Sequence, residues 1–121
     1  MPKKILVIDD DPHIVELLKS RLTASSYQVV TAHDGEAGLV QVEKEHPDLI
    51  ICDVLMPKMD GYTFVRTLKR QDTGRSIPII MLTAKDKMKD LFEIEGVRDY
   101  MVKPYRPEEL MKKIRINLGE E

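Results

Sequence analysis

Ile5-Leu6-Val7-Ile8-Asp9-Asp10-Asp11-Pro12 sets an apolar run of strand length against an acidic tract and a proline. The run does not alternate with polar residues, so the strand it predicts is covered on both faces. Asp11 suits a helix N-cap and Pro12 the first helical position, after which Ile14, Leu17, Leu18 and Leu22 keep helical spacing. The same grammar recurs downstream. Leu49-Ile50-Ile51-Cys52 ends at Asp53, Ile79-Ile80-Met81-Leu82 at Thr83, and Tyr100-Met101-Val102 at Lys103. Residues 28–32 and 99–102 are shorter or more mixed and read as flanking strands. Helical patterns fill the intervals: residues 35–46, the stretch opened by Asp60-Gly61 that carries Phe64, Val65 and Leu68, and residues 85–95. A last helix follows Pro107, with Leu110, Ile114 and Leu118 as its stripe. Its Glu108 and Glu109 come early and Lys112, Lys113 and Arg115 late, the order a helix dipole favours.

Strand and helix thus alternate five times without linker or repeat. That alternation predicts an α/β fold, a three-layer doubly wound sandwich of a five-stranded parallel sheet between five helices. The 121 residues are expected to form one domain, 1–121, with no second catalytic or DNA-binding module. An apolar fraction of 42%, 33% charged residues and a net charge of -2 offer no global attraction to nucleic acid or an anionic membrane, so function is expected to be local. Cys52 is the single cysteine, which excludes an intramolecular disulfide and a cysteine-based zinc site. The apolar run after Lys3 and Lys4 is too short for a signal peptide or a membrane span. A cytoplasmic location is expected.

If the strands are parallel, Asp9, Asp10, Asp53, Thr83 and Lys103 all emerge at one sheet edge, where open α/β sheets place ligands. Such an edge would carry about two uncompensated negative charges, with only Lys103 opposing the acids. A divalent cation resolves the excess, and an all-oxygen ligand set favours Mg2+ or Mn2+ over zinc. Asp53 can then serve as a nucleophile toward phosphorus, Lys103 as the charge for phosphoryl oxygens, and Thr83 as a hydrogen-bond donor. Singly, each residue has a plainer reading: Asp9 or Asp10 as a helix cap, Asp53 as a loop entry, Thr83 as a strand end or cap, Lys103 as a solvated surface group. Four coincident strand-end placements favour one site. Cys52 and Met56, Met81, Met88 and Met101 read as packing residues, and His13, His33 and His46 are scattered.

Val7-Ile8-Asp9-Asp10-Asp11-Pro12, Asp53-Val54-Leu55-Met56-Pro57-Lys58-Met59-Asp60-Gly61, Leu82-Thr83-Ala84 and Asp99-Tyr100-Met101-Val102-Lys103-Pro104-Tyr105 together resemble the receiver domain of bacterial two-component response regulators. The resemblance runs in order over essentially the whole chain. It implies a flavodoxin-like strand order of 2-1-3-4-5, which the general description of doubly wound folds gives for relatives of this family. It implies that Asp53 accepts a phosphoryl group from a sensor histidine kinase or phosphotransfer protein. Asp9, Asp10, Asp53 and the Leu55 backbone carbonyl would hold Mg2+, and Lys103 would bind a phosphoryl oxygen. Thr83 and Tyr100 would form the switch, Lys103-Pro104 would be cis, and the fourth helix, fifth strand and fifth helix would make the output face. That face would meet a downstream protein target or a fused output domain and could support a dimer, with no direct nucleic acid or membrane contact. On this reading the chain is a signalling phosphoacceptor that catalyses only its own phosphoryl transfer and dephosphorylation.

Two rivals differ in class. A phosphohydrolase of the haloacid dehalogenase type would use Asp9 as nucleophile and Asp11 as acid/base, which leaves Asp53 unexplained. The complete acidic set, Thr83 and Lys103 argue against a receiver-like binding module that is never phosphorylated, while the stretch between Thr83 and Lys103, about two residues shorter than is usual in the family, keeps it open. The family also varies at the positions of Leu55 and Lys85, where water reaches the acyl phosphate. Apolar Leu55 is expected to hinder that water, so Leu55→Asn should speed dephosphorylation in Mg2+; an unchanged or slower rate contradicts this role.

Overall fold

The computed structural model describes residues 2–54, 56, 59–84 and 99–120. Strands β1 (Lys4–Ile8), β2 (Gln28–Ala32), β3 (Leu49–Asp53), β4 (Ile79–Ala84) and β5 (Asp99–Lys103) alternate with helices α1 (Pro12–Ala24), α2 (Gly35–Glu45) and α3 (Gly61–Lys69), and α4 (Pro107–Asn117) follows β5. α4 is the fifth helix of the sequence reading. The fourth, expected over 85–95, lies outside the described residues, as do Leu55, Lys85 and Met88. All strands pair in parallel, in the order β2-β1-β3-β4-β5.

The unbroken apolar runs feed two cores because successive side chains of a strand point to opposite sheet faces. Ile5, Val7, Leu49, Ile51, Ile80 and Leu82 pack with Leu18 and Leu22 of α1 and with Leu110 and Ile114 of α4. Leu6, Ile8, Ile50, Cys52, Ile79 and Met81 pack on the other face with Val42 of α2 and Phe64, Val65 and Leu68 of α3. Cys52 is fully buried, and burial pushes its thiol pKa well up, so it acts as a packing residue. No described helix is long and apolar enough to cross a membrane.

Aspartates open three of the helices. Asp11 Oδ1 accepts from His13 N, Asp34 Oδ1 from Ala37 N and Asp60 Oδ1 from Thr63 N, at 2.8–2.9 Å. Helix α4 has no side-chain cap and relies on Pro107 at its start with Glu108 and Glu109 in its first turn. The expected helix over 35–46 ends one residue sooner. His46 leaves the helix at φ 50° while its N–H still reaches the Val42 carbonyl, because Pro47 disfavours the helical conformation in the residue before it. The strands, conversely, run further than their apolar segments. Asp53 pairs with Leu82, Thr83 with Val102 and Ala84 with Lys103, since backbone pairing follows the neighbouring strand rather than side-chain polarity.

Helix α3 approaches β3 closely at Gly61. A Cβ there would stand 2.7 Å from the Asp53 carbonyl oxygen and 2.9 Å from Val54 Cα, and the Gly61 N–H donates to the Val54 carbonyl at 2.8 Å. Because both of these contacts are backbone, Gly61→Ala is expected to lower stability by about 1–3 kcal/mol. Urea unfolding measures this, and a midpoint equal to that of the parent contradicts the close approach.

Candidate functional site

Parallel pairing brings the carboxyl ends of β1, β3, β4 and β5 to one edge. Asp9 and Asp10 follow β1, Asp53 closes β3, Thr83 lies near the end of β4 and Lys103 ends β5. Asp9, Asp53 and Thr83 are buried, while Asp10 is exposed. One carboxylate oxygen from each of Asp9, Asp10 and Asp53 lies within 4.8 Å of the others. Lys103 Nζ donates to Asp53 Oδ1 at 3.0 Å. The Lys103-Pro104 peptide bond is cis.

Thr83 and Tyr100 occupy a different face of the same edge. Tyr100 pairs with Met81 and packs against the α2/α3 core, and Thr83 lies two positions beyond Met81 on that face of β4. Asp53 and Lys103 follow Ile51 and Met101 by two positions, on the face covered by α1 and α4.

The electrostatics are those of crowded acids in a poorly hydrated place. Burial, with the charges of Asp53 and Asp10, pushes the Asp9 carboxyl up to about 6 against the Asp11 N–H and Lys103, which oppose it. Burial also raises Asp53, although the hydrogen bond and charge of Lys103 pull the other way. For Lys103, burial alone would lower the pKa. The bond and charge of Asp53, together with Asp9, outweigh burial and raise it.

Asp9 Oδ1 accepts the Asp11 N–H at 2.9 Å, whereas Asp9 Oδ2 is buried with no hydrogen-bond partner among the described residues. A buried carboxylate oxygen without a donor is costly, and a cation supplies the missing positive partner. The donor set is all oxygen and suits a hard divalent ion. Asp11 Oδ1, by contrast, caps α1, the plainer role that its place before Pro12 suggested.

Tyr105 is a residue to which the sequence reading gave no role. It is half-buried beside Lys103, packs against the α1/α4 core, and burial raises its phenol against the charges of Lys103 and Arg21. An aromatic residue just after Lys103-Pro104 was the available signal. The three histidines are exposed and none belongs to the acidic cluster, although His33 lines a pocket with Asp9 and Asp10; the Leu55 carbonyl lies outside the described residues.

Comparison with known proteins matches residues 5–115 to the response regulator receiver domain. The chain is 46% identical over 117 residues to the alkaline phosphatase synthesis transcriptional regulatory protein PhoP of Bacillus subtilis, covering 95% of this chain and 48% of that protein. It spans about half the length of the curated relatives it matches first. The chemotaxis response regulator CheY4 of Vibrio cholerae superposes with a TM-score of 0.89 at 34% identity, covering 98% of this chain and 100% of that one. The response regulator TrrA of Thermotoga maritima, in complex with Mg2+-BeF, superposes with a TM-score of 0.86 at 33% identity, covering 96% and 99%. With the family match spanning nearly every described element and the strand order in agreement, the chain belongs to the response regulator receiver domain family.

Proposed function

We propose that this chain is a single receiver unit over residues 1–121 that accepts a phosphoryl group on Asp53 from a phosphohistidine of a sensor kinase or phosphotransfer protein. The observation that carries the proposal is the Asp53–Lys103 pair at 3.0 Å, set among Asp9 and Asp10 within ligand distance. In the transfer, a carboxylate oxygen of Asp53 attacks phosphorus, the P–N bond breaks, and the imidazole leaves with its electron pair and takes up a proton. Lys103, already held at Asp53, neutralises the phosphoryl oxygens as they arrive. Asp9, Asp10 and Asp53 would hold Mg2+, or Mn2+ in its place. The ion supplies Lewis-acid stabilisation of the phosphoryl charge. TrrA carrying Mg2+-BeF supports this ligand class. Hydrolysis of the acyl phosphate, the chain's own dephosphorylation, returns it to the starting state.

Phosphorylation adds charge of about -2 and acceptor oxygens, which draw the Thr83 hydroxyl and the Lys103 ammonium. Thr83 and Tyr100 lie on one face of neighbouring strands, so movement at Thr83 reaches Tyr100 and the surface of β5 and α4. An open groove there, lined by Tyr100, Val102, Tyr105, Arg106, Glu109 and Lys113, suits a protein partner, whether a separate target, an attached output domain or a second copy. No direct nucleic acid contact follows from this domain's charge, and the expected compartment is the cytoplasm.

Incubation with Mg2+ and a small acyl-phosphate donor should add one phosphoryl mass to the intact protein, and Asp53→Asn should abolish it. Retention of the added mass in that variant overturns the assignment.

A second outcome follows from Asp9. Its pKa is raised by burial to about 6, so the folded state holds a proton that the unfolded chain, near 3.8, has released. Without divalent cation, the stabilising contribution is fully present below the unfolded value and is lost as pH rises through about 6. Asp9→Asn should flatten that part of the stability profile and weaken Mg2+ binding. Denaturant midpoints across the range check it; an unchanged pH slope contradicts it.

A further inference from the structure

A cavity of about 340 Å3 lies beside the acidic cluster, between α1 and the end of β2. Asp9 and Asp10 line it, so two of the three clustered carboxylates border this space. Val15 and Ala32 give it an apolar wall, while Glu16 of α1 and His33, just beyond β2, add further polar groups. No lysine or arginine is among its described lining residues. Neither Asp10 nor Glu16 has an ion-pair partner among the described residues, and His33 faces Asp34, with Nε2 3.7 Å from Asp34 Oδ2. Glu16 is thus a fourth acid beside the cluster, outside it yet across a shared space from Asp9 and Asp10.

We infer that Glu16 is a positioning residue for the divalent cation: across the cavity it accepts hydrogen bonds from water that the ion retains, and its charge raises cation affinity without direct ligation. This rests on the proposed cation site. Mg2+ gives up its waters reluctantly and usually binds through one or two carboxylates while keeping several of them. A water takes about 30 Å3 of the liquid, so the cavity has room for several beside Asp9 and Asp10. Groups around the direct ligands of a metal orient what the metal binds and tune its affinity. Glu16 is exposed, so solvent screens its charge, and an effect of about threefold to tenfold is expected. Helix α1 therefore contributes an acid to the site without providing a ligand.

Mn2+ titration at low ionic strength, followed by the electron paramagnetic resonance of the free ion, tests this without reference to phosphorylation. Glu16→Gln removes the charge at nearly constant shape and should weaken binding about threefold to tenfold. Glu16→Asp should recover part of that loss, and His33→Glu, which adds a carboxylate to the cavity wall, should tighten binding. Glu43→Gln removes an exposed acid near the far end of α2 and should leave affinity at the parent value. Parent-like affinity in Glu16→Gln overturns the inference, as does a loss that Glu16→Asp does not relieve or the absence of tightening in His33→Glu. Equal weakening in Glu43→Gln also overturns it, because it marks an effect of overall charge. If the parent protein itself shows no saturable Mn2+ binding, the cation site fails and this inference falls with it.

Discussion

Bringing like charges together at the end of a parallel sheet is the constraint around which this molecule is organised. Asp9, Asp10 and Asp53 share a space in which their oxygens approach within 4.8 Å, and burial raises the pKa of two of them. The bond from Lys103 to Asp53 offsets part of the repulsion. The remainder persists as a preference for protons or divalent cations at this edge. Two well-filled cores oppose relaxation of the edge, because moving the acids apart would disturb strands buried on both faces.

Much of this arrangement was legible in the residues. Apolar runs without alternation announced strands covered on both sides, and Asp11-Pro12 and Asp60-Gly61 marked helix starts that the structure contains. The convergence of strand ends followed from parallel pairing alone. The strand order and the cis bond before Pro104 came from family resemblance, because no spacing in the chain specifies either.

Other features could not be read locally. The ladder continues through Asp53, Thr83 and Lys103 because a neighbouring strand is present, which a hydrophobic pattern does not reveal. His46 ends α2 early through the influence of Pro47. The closeness of Gly35 to Met59 and of Gly61 to Asp53 depends on how helices settle on the sheet. Tyr105 has its phenol raised by burial, against the charge of Lys103, a tertiary effect at which its place after Lys103-Pro104 only hints.

The wide spacing of the edge residues along the chain bears on how the protein is made. A ribosome releases Asp9, Asp10 and Asp53 well before Lys103, which lies on the last strand and at the far side of the sheet order from β2. During that interval the acids have no ammonium partner from β5, so docking of β1 against β3 proceeds against their repulsion. Strand β5 therefore completes the described sheet and offsets part of the charge at its edge. Cations present during synthesis would ease the earlier stages.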